Sequence, residues 1–252
     1  MVPEKKIVLI TGANAGVGFA SATVIAEHSA SFHVIIGARS AIKGQKAVDD
    51  LKAKGFPGTV STVKLEVQDT ASIAAAAKVI EEDFGKLDVL VNNAGLMSYH
   101  TEYANQLQEE FPVNTFAPLL VTDAFVHLLK KSKDPRIINV SSSLGSIALL
   151  REEGLDWAFK QAVTYRMSKA ALNMLTVCQT AQFGLWGAKV WSYCPGFVVT
   201  NGWGDSEESR QQMRDNGAQD PRESGLGILG IINGERDADA GYFINKAERI
   251  PW

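Results

Sequence analysis

Cysteine is nearly absent, with only Cys178 and Cys194 among 252 residues. Their spacing matches no metal-ligand pattern, and in a reducing compartment such thiols serve as small buried hydrophobes rather than as a disulfide. Histidine is sparse too: His28, His33, His100 and His127 are scattered singly, which leaves a metal site or a Ser-His-Asp hydrolase without support. There is no basic stripe, and a net charge of −3 argues against a surface built to neutralise nucleic-acid phosphates. Near the start, Glu4, Lys5 and Lys6 precede only a short apolar run, which fits neither a secretory signal nor a membrane span. No solenoid-length repeat or low-complexity tract is present. The sequence therefore predicts a soluble, cytoplasmic protein with no metal, no membrane and no nucleic-acid partner.

What the chain does have is apolar material in a regular rhythm. A hydrophobic content of 46% against 21% charged residues supports one large core, and a single domain over 1–252 is expected. Short β-branched runs at 6–10, 33–38, 59–67, 87–94, 136–142, 188–194 and 241–245 read as strands. Between them lie helix-like stretches at 18–30, 43–54 and 72–84, with apolar residues three and four apart. Right-handed crossovers then give an α/β fold, a doubly wound Rossmann-type parallel sheet of about seven strands with helices on both faces. The polar segment 202–225 reads either as a solvated loop or as a small helical lid over the carboxyl edge of the sheet.

The first strand runs into "TGANAGVGFA", Thr11 to Ala20. Gly12, Gly16 and Gly18 can serve a tight turn. They can also form an anion cradle, in which Asn14, Val17 and their neighbours bring backbone N–H groups and a helix N-terminus up to a diphosphate. In an open parallel sheet, ligands sit outside the carboxyl ends of the strands, so the residues after each strand are the ones to inspect. Strand two ends at Arg39, where an arginine suits a 2′-phosphate better than a free ribose hydroxyl; the plainer reading is a loop cap. Strand three ends at Glu66 and Val67, strand four at Asn92, Asn93, Ala94 and Gly95, and strand five in Ser141, Ser142 and Ser143. Tyr165 and Lys169 then stand four apart on a helix-like segment, so phenol and ammonium share a face. A neighbouring cation is expected to lower the tyrosine pKa and make it usable in acid-base chemistry.

With "LDVLVNNAG", "VN" at 113–114, "IINVSSSLG", "YRMSK" and "CPGFVVT" at 194–200, the chain resembles the single-domain branch of the short-chain dehydrogenase/reductase family over nearly its whole length. Its look is nearest to NADPH-dependent carbonyl reductases and to plant and fungal ketoreductases. The resemblance implies NADP(H) as cofactor and a small-molecule carbonyl or alcohol as substrate. It implies Tyr165 as the proton donor in reduction, or the base in oxidation, Ser142 as the holder of the carbonyl oxygen, and Lys169 as a nicotinamide-ribose ligand that lowers the tyrosine pKa. Asn114 would hold a water in a proton relay, and Pro195, Gly196, Val198 and Thr200 would line the nicotinamide end. The alternatives are secondary-alcohol oxidation and a catalytically silent NADP-binding regulator. Relatives of this look occur as monomers and as homo-oligomers.

Two departures from the family pattern stand out. Glu66 replaces a common aspartate, and 23 positions separate Ser142 from Tyr165, so the chain carries an insertion near 146–163. Its Leu149, Leu150, Leu155, Trp157 and Phe159 either wall a bulky apolar substrate or bury against the domain, and Met97, Phe197 and Trp203 are further candidates for the wall. Pro118 is tolerable near a helix start and is assigned no role.

Overall fold

The computed structural model describes residues 5–152, 162–199 and 206–252. Seven parallel strands lie in the order β3-β2-β1-β4-β5-β6-β7, the doubly wound arrangement expected. The strands are β1 (Lys6–Thr11), β2 (Phe32–Ala38), β3 (Thr59–Lys64), β4 (Val89–Asn92), β5 (Arg136–Val140), β6 (Lys189–Tyr193) and β7 (Phe243–Ile244). Residues of β1, β4 and β5 are buried on both faces, which is why they read as continuous apolar runs instead of alternating ones.

Several strands stop short of their expected ends. Leu65–Val67, Asn93–Gly95 and Ser141–Ser142 continue the apolar or polar pattern but leave the ladder. Those are the residues delivered to the carboxyl edge. β7 is only two residues long because it pairs with β6 only at Ser192 and Tyr193.

Helices cover both faces. On one side α1 (Gly16–His28), α2 (Ala41–Lys52) and α9 (Pro221–Ile232) enclose a core containing Val8, Ile10, Ile36, Val91 and Trp191. On the other, α3 (Thr70–Phe84) and α5 (Ala117–Leu129) enclose Leu9, Ile35, Leu90, Ile137 and Val190. Before α5 comes α4 (Tyr103–Phe111), joined to it through a π turn at Pro112–Phe116. The combined run Tyr103–Leu129 is long and apolar enough to cross a bilayer, and half of its apolar window is buried inside the protein.

The remaining helices are α6 (Ile147–Leu150), α7 (Val163–Phe183) and α8 (Glu207–Asp215). The candidate lid thus divides into two parts. α8 is a surface helix that buries only Met213, whereas α9 buries Ser224, Gly225 and Gly227 through Ile232 against the sheet. Residues 221–225 therefore belong to the body of the domain, and 202–205, with Trp203, lie outside the described residues. The insertion opens with α6, where Ser146 Oγ donates to the Pro251 carbonyl at 2.6 Å and Ala148 N donates to the Trp252 carbonyl at 2.8 Å. Leu149 and Leu150 do not line the cleft, and Leu155, Trp157 and Phe159 lie outside the described residues.

Candidate active site

The strand ends open into a cleft of about 790 Å³. Its floor begins with the loop from β1 to α1, where Gly12 and Gly16 adopt φ of +64° and +56°, a region that a side chain disfavours. Ala15 precedes α1 as its N-cap and gives no side-chain cap, so the N–H groups of the first turn remain available beside the cleft-lining Asn14, Ala15, Gly16 and Val17. Gly18 is different: it does not line the cleft, and a Cβ there would stand 2.5 Å from Asn93 Nδ2. Its place is to let Asn93 donate to the Thr11 carbonyl at 2.8 Å, a packing role in place of the cofactor contact expected.

Thr11, which no motif singles out, accepts at its hydroxyl from the N–H groups of both Asn93 and Ala94 at 3.0 and 2.9 Å. This shapes the turn that brings Asn93, Ala94 and Gly95 to the cleft. Asn92 is not part of it. Its side chain is buried and donates to Thr122 Oγ1 and Asn139 Oδ1 at 3.0 and 2.9 Å, because successive strand residues point to opposite faces. Arg39, Glu66 and Val67 line the far end of the cleft, together with Gln68. Arg39 is exposed and pairs with no described carboxylate.

At the other end, Ser142, Tyr165 and Lys169 converge from β5 and α7. Ser142 and the Tyr165 phenol line the same end of the cleft, and the Ser142 hydroxyl favours the ionised phenol. Lys169 is buried, donates from Nζ to the Val140 carbonyl at 2.9 Å, and lies 5.7 Å from the centroid of the Tyr165 ring. Burial lowers Lys169 to about 8. It pushes Tyr165 up to about 12, and the Ser142 hydroxyl only partly opposes that shift. The expectation that the tyrosine pKa is lowered is thus reversed. Removing a phenolate from water costs more than one hydroxyl contact returns, and the ammonium is committed to a main-chain oxygen.

Asn173, one turn beyond Lys169, holds this corner together. Its Oδ1 accepts from Ser141 Oγ and Ser192 Oγ, each at 2.7 Å, while Nδ2 donates to the Gly145 carbonyl at 3.2 Å. Gly145 has to be glycine, because a Cβ would stand 2.8 Å from the main-chain carbon of Lys169. The four-residue spacing from Lys169 is the sequence signal that could have revealed Asn173.

Asn114 sits in the π turn, fully buried. Its Nδ2 donates to the Leu96 carbonyl at 2.8 Å and to Ser168 Oγ at 3.0 Å, and its Oδ1 accepts from Leu96 N at 2.9 Å. Both amide hydrogens are spent within the protein, so the side chain braces the site and has no donor left for a water. The main-chain carbonyl of Asn114 is another matter. Four residues on stands Pro118, which has no N–H, so the α-helical partner of that carbonyl does not exist. Pro118, given no role from sequence, shapes the helix at this residue. Pro195, Gly196 and Val198 line the cleft with Phe197, and Ser224 Oγ holds the Pro195 carbonyl at 2.6 Å; Thr200 lies outside the described residues.

A doubly wound sheet, an uncapped helix N-terminus behind glycines, and a half-buried serine and tyrosine beside a buried lysine at the carboxyl edge define a Rossmann-type oxidoreductase. The chain belongs to the short-chain dehydrogenase/reductase family: the family model for short chain dehydrogenases matches residues 6–211. A short-chain dehydrogenase of Penicillium roqueforti is 35% identical over 217 residues, covering 82% of this chain and 85% of the relative. (+)-Neomenthol dehydrogenase of Arabidopsis thaliana is 30% identical over 249 residues, 77% of this chain and 83% of its own length. Among solved structures, an NADPH-bound carbonyl reductase from chicken fatty liver is 32% identical and aligns with a TM-score of 0.79 over 99% of this chain and 100% of its own. Members of the family use a nicotinamide cofactor, and the uncapped first turn of α1 fits its diphosphate.

Proposed function

We propose that this protein reduces a ketone or aldehyde to an alcohol with NADPH, and that the substrate is a bulky, apolar small molecule. The observation that carries the reading is the convergence of Ser142, Tyr165 and Lys169 at one end of a large cleft. Tyr165, whose phenol carries its proton at neutral pH, stands at the cleft where it can give that proton to a carbonyl oxygen. The bound nicotinamide supplies the hydride. Ser142, which lines the cleft beside the phenol, offers its hydroxyl to the same oxygen and stabilises the charge that develops there. Lys169 orients the nicotinamide ribose, and the carbonyl of Asn114 serves as the water ligand of a proton relay behind it.

Gly12, Asn14, Gly16 and Val17 hold the diphosphate, Glu66 and Val67 the adenine, and Asn93, Ala94, Gly95, Pro195, Gly196 and Val198 the nicotinamide half. Arg39, exposed and free of any described carboxylate, favours NADPH through its 2′-phosphate, and the similarity to an NADPH-bound carbonyl reductase supports the same choice.

The test is to titrate the protein with NADPH and NADH, beside Arg39→Ala and Tyr165→Phe. NADPH is expected to bind more tightly, by a margin that Arg39→Ala removes, and Tyr165→Phe is expected to keep cofactor binding while losing turnover. Equal binding of NADH would move the reading toward an NAD-dependent alcohol dehydrogenase, and undiminished turnover in Tyr165→Phe would reject the proton-donor role.

A further inference from the structure

Helix α4 and the turn after it carry Gln106, Glu110 and Asn114 four residues apart, a spacing that keeps side chains on one helix face. All three bond to the main chain of the stretch that leaves β4. Asn114 takes both the N–H and the carbonyl of Leu96. Glu110 Oε1 accepts from Ser98 N at 2.9 Å, and Gln106 Nε2 donates to the His100 carbonyl at 2.6 Å. Residues 96, 98 and 100 are thus held in turn, and the residues between them, Met97 and Tyr99, line the cleft.

The same ladder is tied to α7 on both sides of Tyr165. Thr164 Oγ1 donates to Gln106 Oε1 at 2.7 Å, and Asn114 Nδ2 donates to Ser168 Oγ at 3.0 Å. One helix face therefore sets the distance between this wall of the cleft and the phenol. Glu110 is the member that demands an account. It is 1% exposed, and its Oε2 has no hydrogen-bond partner among the described residues, an arrangement that costs stability and that a smaller polar residue would avoid.

We propose that Gln106 and Glu110 are positioning residues that fix Met97 and Tyr99 as the wall selecting the substrate's apolar substituent. This rests on the reductase reading. A thioether and an aromatic ring suit a flat, apolar group, and only a wall held rigidly against the reacting groups can discriminate by shape.

The test compares Glu110→Leu and Glu110→Gln with the wild type on a bulky aromatic diketone, benzil, and a small one, butane-2,3-dione, with NADPH, each variant being read as its ratio to wild type on the same substrate. Hydrogen exchange of segment 96–100 is followed in parallel. Glutamine keeps an acceptor for Ser98 N, whereas leucine does not. Glu110→Leu is expected to cut kcat/KM for benzil about tenfold, mostly through KM, and for butanedione by no more than about threefold. It is also expected to speed exchange in 96–100, and Glu110→Gln to restore both. In a Tyr99→Ala background the leucine substitution should no longer change the ratio between the diketones.

Equal losses on both diketones, a Gln variant no better than Leu, or additivity with Tyr99→Ala would each overturn the proposal. Should Glu110→Leu fail to fold, Gln106→Leu, at the half-buried end of the ladder, carries the same expectations. If exchange in 96–100 is unmoved by the substitution, the positioning role falls and the reductase reading stands. If the wild type reduces neither diketone while 96–100 still depends on Glu110, the reductase reading falls and the wall's role in selectivity falls with it.

Discussion

Lys169 Nζ lies 5.7 Å from the centre of the Tyr165 ring and gives its hydrogen bond to the Val140 carbonyl at 2.9 Å, not to the phenol. The two groups share a helix face, as a four-residue spacing dictates, yet burial rather than charge dominates both. The phenol is held as a proton donor and the ammonium is brought toward neutrality.

That relationship predicts a pH dependence. Burial lowers Lys169 to about 8, so the free enzyme loses its ammonium as pH rises through that value, while Tyr165 at about 12 is still protonated. The kcat/KM for carbonyl reduction, which reports the free enzyme, is expected to be flat near pH 7 and to fall through about pH 8. Lys169→Arg should move that limb upward, and a limb unmoved by the substitution would assign it to another group.

Pro118→Ala supplies an N–H four residues on from the Asn114 carbonyl, where an α-helical partner would stand. The expected result is a drop in kcat of roughly tenfold with KM nearly constant, the pattern of an interaction made in the transition state. Thermal stability should hold or rise, since a proline is leaving a continuous helical run. An unchanged kcat would separate that carbonyl from the relay.

At the opposite end of the sheet, Arg136 is 3% exposed. It pairs with Asp134 at 2.7 Å and Asp237 at 2.5 Å, donates to the Ile231 carbonyl, and lies 5.5 Å from the Trp191 ring. Arg136→Leu breaks all of these and leaves Asp134 and Asp237 to Lys189, so a loss of about 3 kcal/mol is expected by urea denaturation, with cofactor affinity unaffected.

His33 has both ring nitrogens in hydrogen bonds, to Thr59 Oγ1 at 2.7 Å and Ser61 Oγ at 2.8 Å. Burial, with Lys5 nearby, lowers its pKa from 6.5 to about 4. The unfolded chain therefore binds this proton more strongly than the folded one. Its contribution to stability is complete above pH 6.5 and is lost on acidification between about 6.5 and 4. Denaturation midpoints measured across that range should fall, and should fall less in His33→Gln.

The sequence by itself determined the fold class, because apolar periodicity is local and a parallel sheet buried on both faces imprints it strand by strand. It also determined which residues gather at the carboxyl edge: the glycine loop, Arg39, Ser142, Tyr165 and Lys169 follow from where strands end and from a four-residue spacing. Tertiary structure decided what each of them can do. Whether Asn92 or Asn93 faces the cleft depended on the pleat and register of β4, and the role of Gly18 on how closely Asn93 packs against it. The direction of the Tyr165 shift turned on burial, which no spacing encodes. Asn114 proved to have its amide spent on Leu96 and Ser168, and Glu110 proved to be buried with its carboxylate on Ser98 N; both facts arise from contacts between separate segments of the chain, and such contacts exist only once the chain has folded.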